Sequence, residues 1–85
     1  MQATDLGPTF AHALKAVRDM NGLSLRAMAE KLGTSAAGIK HWESGDVSPT
    51  LRKVTEIAQV MEVPVDIFVN DVALDGFLAA RHLTV

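Results

Sequence analysis

Four residues between positions 29 and 42 restrict what this chain can fold into more than anything else in it. Ala29 is followed by Gly33, then by Ile39 and Trp42. Two short helices that cross at a steep angle need a small side chain where they touch, which Ala29 supplies. They need a residue that reverses the chain between them, and glycine does this at Gly33. The second helix then needs apolar anchors aimed at the first, and Ile39 and Trp42 recur at that spacing. Ser24 is set to cap the first of the two helices, Thr34 or Ser35 to cap the second, and Gly45 to end it.

The remaining apolar residues follow a helical period almost throughout. Phe10, Ala13, Leu14 and Val17 define a first helix after Pro8-Thr9, ending near Asn21-Gly22. Leu51, Val54, Ile57, Ala58 and Met61 line the longest helix; Pro64 restarts a short fifth, and "DVALDGFLAARHL" has the apolar positions for a sixth segment. No alternating strand pattern and no internal repeat occurs. The expectation is an all-α, compact five-helix bundle with a sixth short helix or a tail at its C-terminus. Residues 1–8 read as a flexible arm, 9–69 as the helical domain and 70–85 as an extension for dimerisation or packing. Met20, Met28 and Met61 sit beside leucines at helical spacing and read as packing residues.

Composition narrows the function classes. With 85 residues and no cysteine, the chain offers one small core, no disulfide framework and no thiolate metal site. It has no apolar run of membrane-spanning length and no signal-peptide pattern, so a soluble cytoplasmic protein is expected. His12, His41 and His82 are too scattered to suggest a metal site. No nucleophile–base set and no phosphate-cradling glycine loop is present, so neither an enzyme nor a cofactor is expected. The net charge is −2, but its distribution is uneven. Seven lysines and arginines face four acids between His12 and Lys53, whereas one arginine faces five acids from Val54 onward. That asymmetry allows a cationic face on an acidic molecule.

Leu14 to Phe68 resembles the Xre/Cro-type helix-turn-helix family of phage repressors, plasmid regulators and antitoxins. The resemblance is carried by "VR" in the first helix, "GLS" before the second, "MAEKLGTS" across the turn, and Ile39 with "WESG" closing the third. "P.L..V..IA..M.V" and "DIF" follow. It implies a homodimer on a palindromic operator in double-stranded DNA, repression more than activation, and a third helix that reads base edges. Arg18 and Glu43 match a pair that ties the first helix to the third. Ser24 and Arg26 stand where the family meets a DNA phosphate, and Arg52 and Lys53 near the next helix start would clamp the adjoining backbone strand. Leu25 departs from the glutamine common there. Glu62 departs from a glycine that often closes the fourth helix, and a left-handed glutamate costs about 1 kcal/mol.

With Ile39 and Trp42 turned inward, Ser35, Ala36, Ala37, Lys40 and His41 become the base-facing residues. Two of these are methyl groups, with Gly38 next to them, so close backbone approach and DNA shape are expected to carry much of the specificity. The same smooth surface also suits a protein partner, as in an antitoxin or co-regulator. The later segments hold more apolar residues than two short helices can bury. A dimer interface through Val63, Val65, Phe68, Val72 and Phe77 would cover them.

Overall fold

Among the described residues the chain forms five α-helices and one turn of 3-10 helix: α1 (Gly7–Met20), α2 (Leu25–Leu32), α3 (Ala36–Glu43), α4 (Leu51–Met61), the 3-10 turn (Val65–Phe68) and α5 (Asp71–Leu83). The computed structural model describes residues 7–83, with side-chain surroundings for 8–80. Most of the expected arm, residues 1–6, therefore lies outside the described residues. The first helix starts two residues ahead of Thr9, because Pro8 fits a first helical turn, where its missing N–H has no partner to lose. Among the described residues there is no strand.

The core follows the apolar period. Phe10, Ala13, Leu14 and Val17 on α1 are fully buried, as are Met28, Ile39, Val54 and Leu74, with Ala29, Ile57 and Ala58 nearly so. α1 and α2 both pack against α3, with Ala29 buried in the core they share. Phe10 is the aromatic centre of this core. Its ring meets Trp42 edge-on at 6.0 Å and lies 5.8 Å from Phe68, joining α1 to α3 and to the 3-10 turn. Such pairs add to the stabilisation from burial itself.

In the second half the fifth helix and Phe68 depart from expectation, whereas the expected sixth segment is present as a helix. The fifth helix is a single 3-10 turn, because Pro64 and the bend at Val69 leave four residues between two changes of direction. The sixth segment is a 13-residue α-helix. Its first turn is capped by Asn70 Oδ1, which accepts from Val72 N at 2.9 Å and Ala73 N at 3.3 Å. Phe68, expected at a dimer interface, is fully buried instead. Its contact with Phe10 consumes it as the plug between α1 and the 3-10 turn, leaving it no surface to offer a partner.

Side chains cap three further helices at their starts. Ser24 Oγ accepts from Ala27 N at 3.0 Å, Ser35 Oγ from Gly38 N at 3.0 Å and Thr50 Oγ1 from Lys53 N at 3.1 Å. Three helices also end alike. Leu23 N donates to Arg18 O, Thr34 N to Ala29 O and Val63 N to Ala58 O, each paired with a bond from the residue before that spans only three residues. That motif needs a left-handed residue, and glycine fills it at Gly22 and Gly33. After α4 the same place is held by Glu62, at φ 58° and ψ 47°. Among the described residues the exposed side chain of Glu62 has no hydrogen bond or ion pair to offset its Cβ strain. Glu62→Gly is therefore expected to raise stability by about 1 kcal/mol, seen as a higher denaturant midpoint with an unchanged slope.

Candidate nucleic-acid interface

Arg18, on the last turn of α1, fixes how the second half of the helix-turn-helix sits. Its Nε donates to Glu43 Oε2 at 2.7 Å and its Nη2 to Glu43 Oε1 at 3.1 Å, a bidentate pair spanning 25 residues of sequence. Its Nη1 donates to the carbonyl of Leu23 at 3.0 Å, just before α2. One guanidinium thus binds α1, the entry to α2 and the end of α3. The side chains are 15% and 9% exposed, so solvent screens this pair weakly. The hydrogen bond to Glu43 raises the Arg18 pKa; burial opposes it, and the charges of Glu43 and Asp19 reinforce it. A raised arginine pKa gives stability that is complete below the unfolded-state value and lost only above the folded one. Arg18 therefore contributes no pH dependence in the neutral range.

The tie leaves one face of α3 outward. Ala37, Lys40 and His41 are exposed, and Ser35 is exposed at the helix start, whereas Ala36 is half-buried. Ser35 accepts the Gly38 amide, which leaves its own hydroxyl proton free to donate. Gly38 does not share this outward face. A methyl group at residue 38 would stand 2.8 Å from Thr34 Oγ1 and 3.3 Å from Ser35 Oγ. The residue is half-buried against the turn, so its lack of a side chain makes room for Thr34. The smooth Ala-Ala-Gly surface shrinks to one exposed methyl, that of Ala37.

Seven cations lie between positions 15 and 53, and carboxylates already hold four of them. Besides Arg18, Lys15 lies 3.4 Å from Asp19, Arg26 3.9 Å from Glu30 and Lys53 3.2 Å from Glu56. Lys53 Nζ also stands 6.0 Å from the centre of the Trp42 ring. Lys31, Lys40 and Arg52 are exposed and have no ion-pair partner among the described residues. Ser24 and Arg26 are exposed at the start of α2, and Arg52 and Lys53 occupy the first turn of α4, which packs on α2. Leu25 is half-buried against the core, so the position often given to glutamine serves packing. The carboxylates Asp19, Glu30 and Glu56 escaped the sequence reading. Their signal was their spacing of three or four residues from each cation.

Among the other expected site residues, Val63, Val65 and Phe77 are half-buried against the core, while Val72 is 79% exposed on α5. His12 and His41 are exposed on separate helices, and the side chain of His82 lies outside the described ones. Among the described residues, no group of three or more histidines and acids stands close enough to hold a metal, and no helix is long and apolar enough to cross a membrane.

Residues 14–68 match the model of the helix-turn-helix family HTH_3. The chain belongs to this family. Its fold is similar to an HTH_3 family transcriptional regulator from Vibrio cholerae, with 36% identity and a TM-score of 0.68 over 76% of this chain and 38% of that one. It is similar as well to the DNA-binding domain of BldD, with 27% identity and a TM-score of 0.68 over 80% of this chain and 99% of that domain. A third similar structure is hydroxypropylphosphonic acid epoxidase from S. wedmorenis, with 28% identity and a TM-score of 0.68 over 78% of this chain and 36% of the enzyme. No curated protein sequence matches significantly. This HTH_3 chain thus spans well under half of the Vibrio regulator and of the epoxidase, and nearly all of the BldD domain.

The Arg18–Glu43 tie yields a measurable expectation. Glu43→Gln strips the poorly solvated guanidinium of its bidentate counter-charge and should cost about 2–3 kcal/mol of unfolding free energy. The double change Arg18→Met/Glu43→Leu should cost less than the two single changes added, because neither charge is then stranded; thermal or denaturant unfolding of the four chains measures this.

Proposed function

We propose that this HTH_3 chain is a DNA-binding transcriptional regulator that acts in the cytoplasm as a homodimer on a palindromic operator, with repression as its mode. The observation that carries the reading is the outward face of α3. A bidentate tie at Arg18 braces the helix, and it presents Ala37, Lys40 and His41 with Ser35 at its start. A rigid helix with a free edge is what major-groove insertion requires. Lys40 and His41 are the donors that reach base edges, while Ala37 offers a methyl contact to thymine. Ser24, Arg26, Arg52 and Lys53, at the starts of α2 and α4, meet the flanking phosphates. The names of the Vibrio regulator and of the BldD domain support the same reading. Epoxidation belongs to the enzyme, of which this chain spans about a third.

The dimer in this reading uses Val72 as its exposed apolar contact, with Val63, Val65 and Phe77 behind it. A protein partner on the α3 face has less in its favour. Its basis is a smooth Ala-Ala-Gly patch, and Gly38 is half-buried beside Thr34.

Three measurements test the proposal. Selection of bound fragments from random duplexes should return a two-fold-related motif, and Lys40→Ala/His41→Ala should erase its sequence preference. Retained preference would remove both residues as readers. With Arg26, Lys40, Arg52 and Lys53 as the DNA-contacting cations, two of them offset by Glu30 and Glu56, log affinity should fall against log salt with a slope between about −2 and −4 per bound chain, not the roughly −6 of a chain using all seven cations between positions 15 and 53. Val72→Asp should shift sedimentation toward monomer and weaken operator binding about tenfold or more.

A further inference from the structure

We propose that Glu56 sets the affinity of the nucleic-acid interface by holding Lys53 in the place of a DNA phosphate. The inference rests on the DNA-binding reading above and deepens it: a bound duplex has to take this lysine away from a carboxylate of the protein itself.

Three contacts define the arrangement. Thr50 Oγ1 accepts the backbone amide of Lys53 and fixes the first turn of α4. From there the lysine extends until Nζ stands 3.2 Å from Glu56 Oε1 and 6.0 Å from the centre of the Trp42 ring. The ring cannot follow the lysine if it leaves, because Phe10 holds it edge-on from the core side. Lys53 and Glu56 also border an open cleft of about 240 Å³ with Leu32, Ile57, Gln59 and Val60, so the aliphatic stem has room to swing. Arg52, the preceding residue, is exposed and has no such partner among the described residues. The first turn of α4 thus carries one free cation and one held cation side by side.

The consequence follows from comparing the two anions. A carboxylate and a phosphate both accept charge-assisted hydrogen bonds from an ammonium, so exchanging one for the other yields little net attraction. After the exchange Glu56 is left unpaired beside the DNA backbone and repels it. Glu56 is therefore a positioning residue that touches no DNA. It lowers affinity for every sequence alike, so binding depends more heavily on the readers on α3.

The test uses Glu56→Gln, Lys53→Met and their combination, with Asp46→Asn reporting the general effect of removing one exposed acid beside α3. Binding to a selected duplex is measured across a salt series. Glu56→Gln should tighten binding at low salt about threefold to tenfold and steepen the salt slope by about one, because no carboxylate is then left to take up a cation when Lys53 moves to a phosphate. In the Lys53→Met chain the same change should do no more than Asp46→Asn does. An equal gain with and without Lys53, or no gain at all, overturns the proposal. A second measurement needs no DNA. Trp42 is the sole tryptophan, and its emission reports whether the ammonium stands over the ring. Lys53→Met should shift that emission in the parent chain and leave it unchanged in the Glu56→Gln chain. If the parent binds no duplex at low salt, the DNA-binding reading falls, and the emission result alone decides on the clamp. An equal shift in both backgrounds overturns it.

Discussion

A single guanidinium holds the geometry on which the rest of this molecule depends. Arg18 reaches from α1 to the carbonyl before α2 and to the carboxylate that ends α3, so three helices share one set of planar donors. Hydrophobic contacts between short helices fix their separation well and their crossing angle less well, because apolar packing has little direction. Hydrogen bonds from a rigid fork supply that direction. The aromatic cluster of Phe10, Trp42 and Phe68 fills the space beneath, and it can do so because the tie sets where Trp42 lies.

Much of this was legible in the sequence where a residue type has one structural use at its spacing. Ala29, Gly33 and Ile39 marked the crossing, the turn and the anchor, and Ser24 announced its cap. The left-handed Glu62 was readable too, since the chain has to reverse there whatever residue it carries. Phe68 and Val72 were not distinguishable. Both are apolar residues near a chain reversal, and four residues of 3-10 turn contain no period to say which side faces in. The ion pairs were half-legible: spacing brings Lys53 and Glu56 within reach, but only the rotamers decide whether the lysine is held or extended.

The charge pattern has a different meaning once the pairs are known. A cationic first half on an acidic chain looks like a strong attraction for polyanions. With four of seven cations already beside carboxylates, most of that charge is spent internally. Long-range attraction is reduced while the shape and donors of α3 are untouched. Such a surface associates weakly with charge in general and leaves discrimination to close contact.

Gly38 has a consequence for anyone who would redesign the outward face of α3. The residue shares a small space with the Thr34 hydroxyl, so the two positions form one steric unit and must be exchanged together. Ala37, Lys40 and His41 are exposed instead. The addressable alphabet of this helix is therefore three letters long, with a fourth available only as a pair.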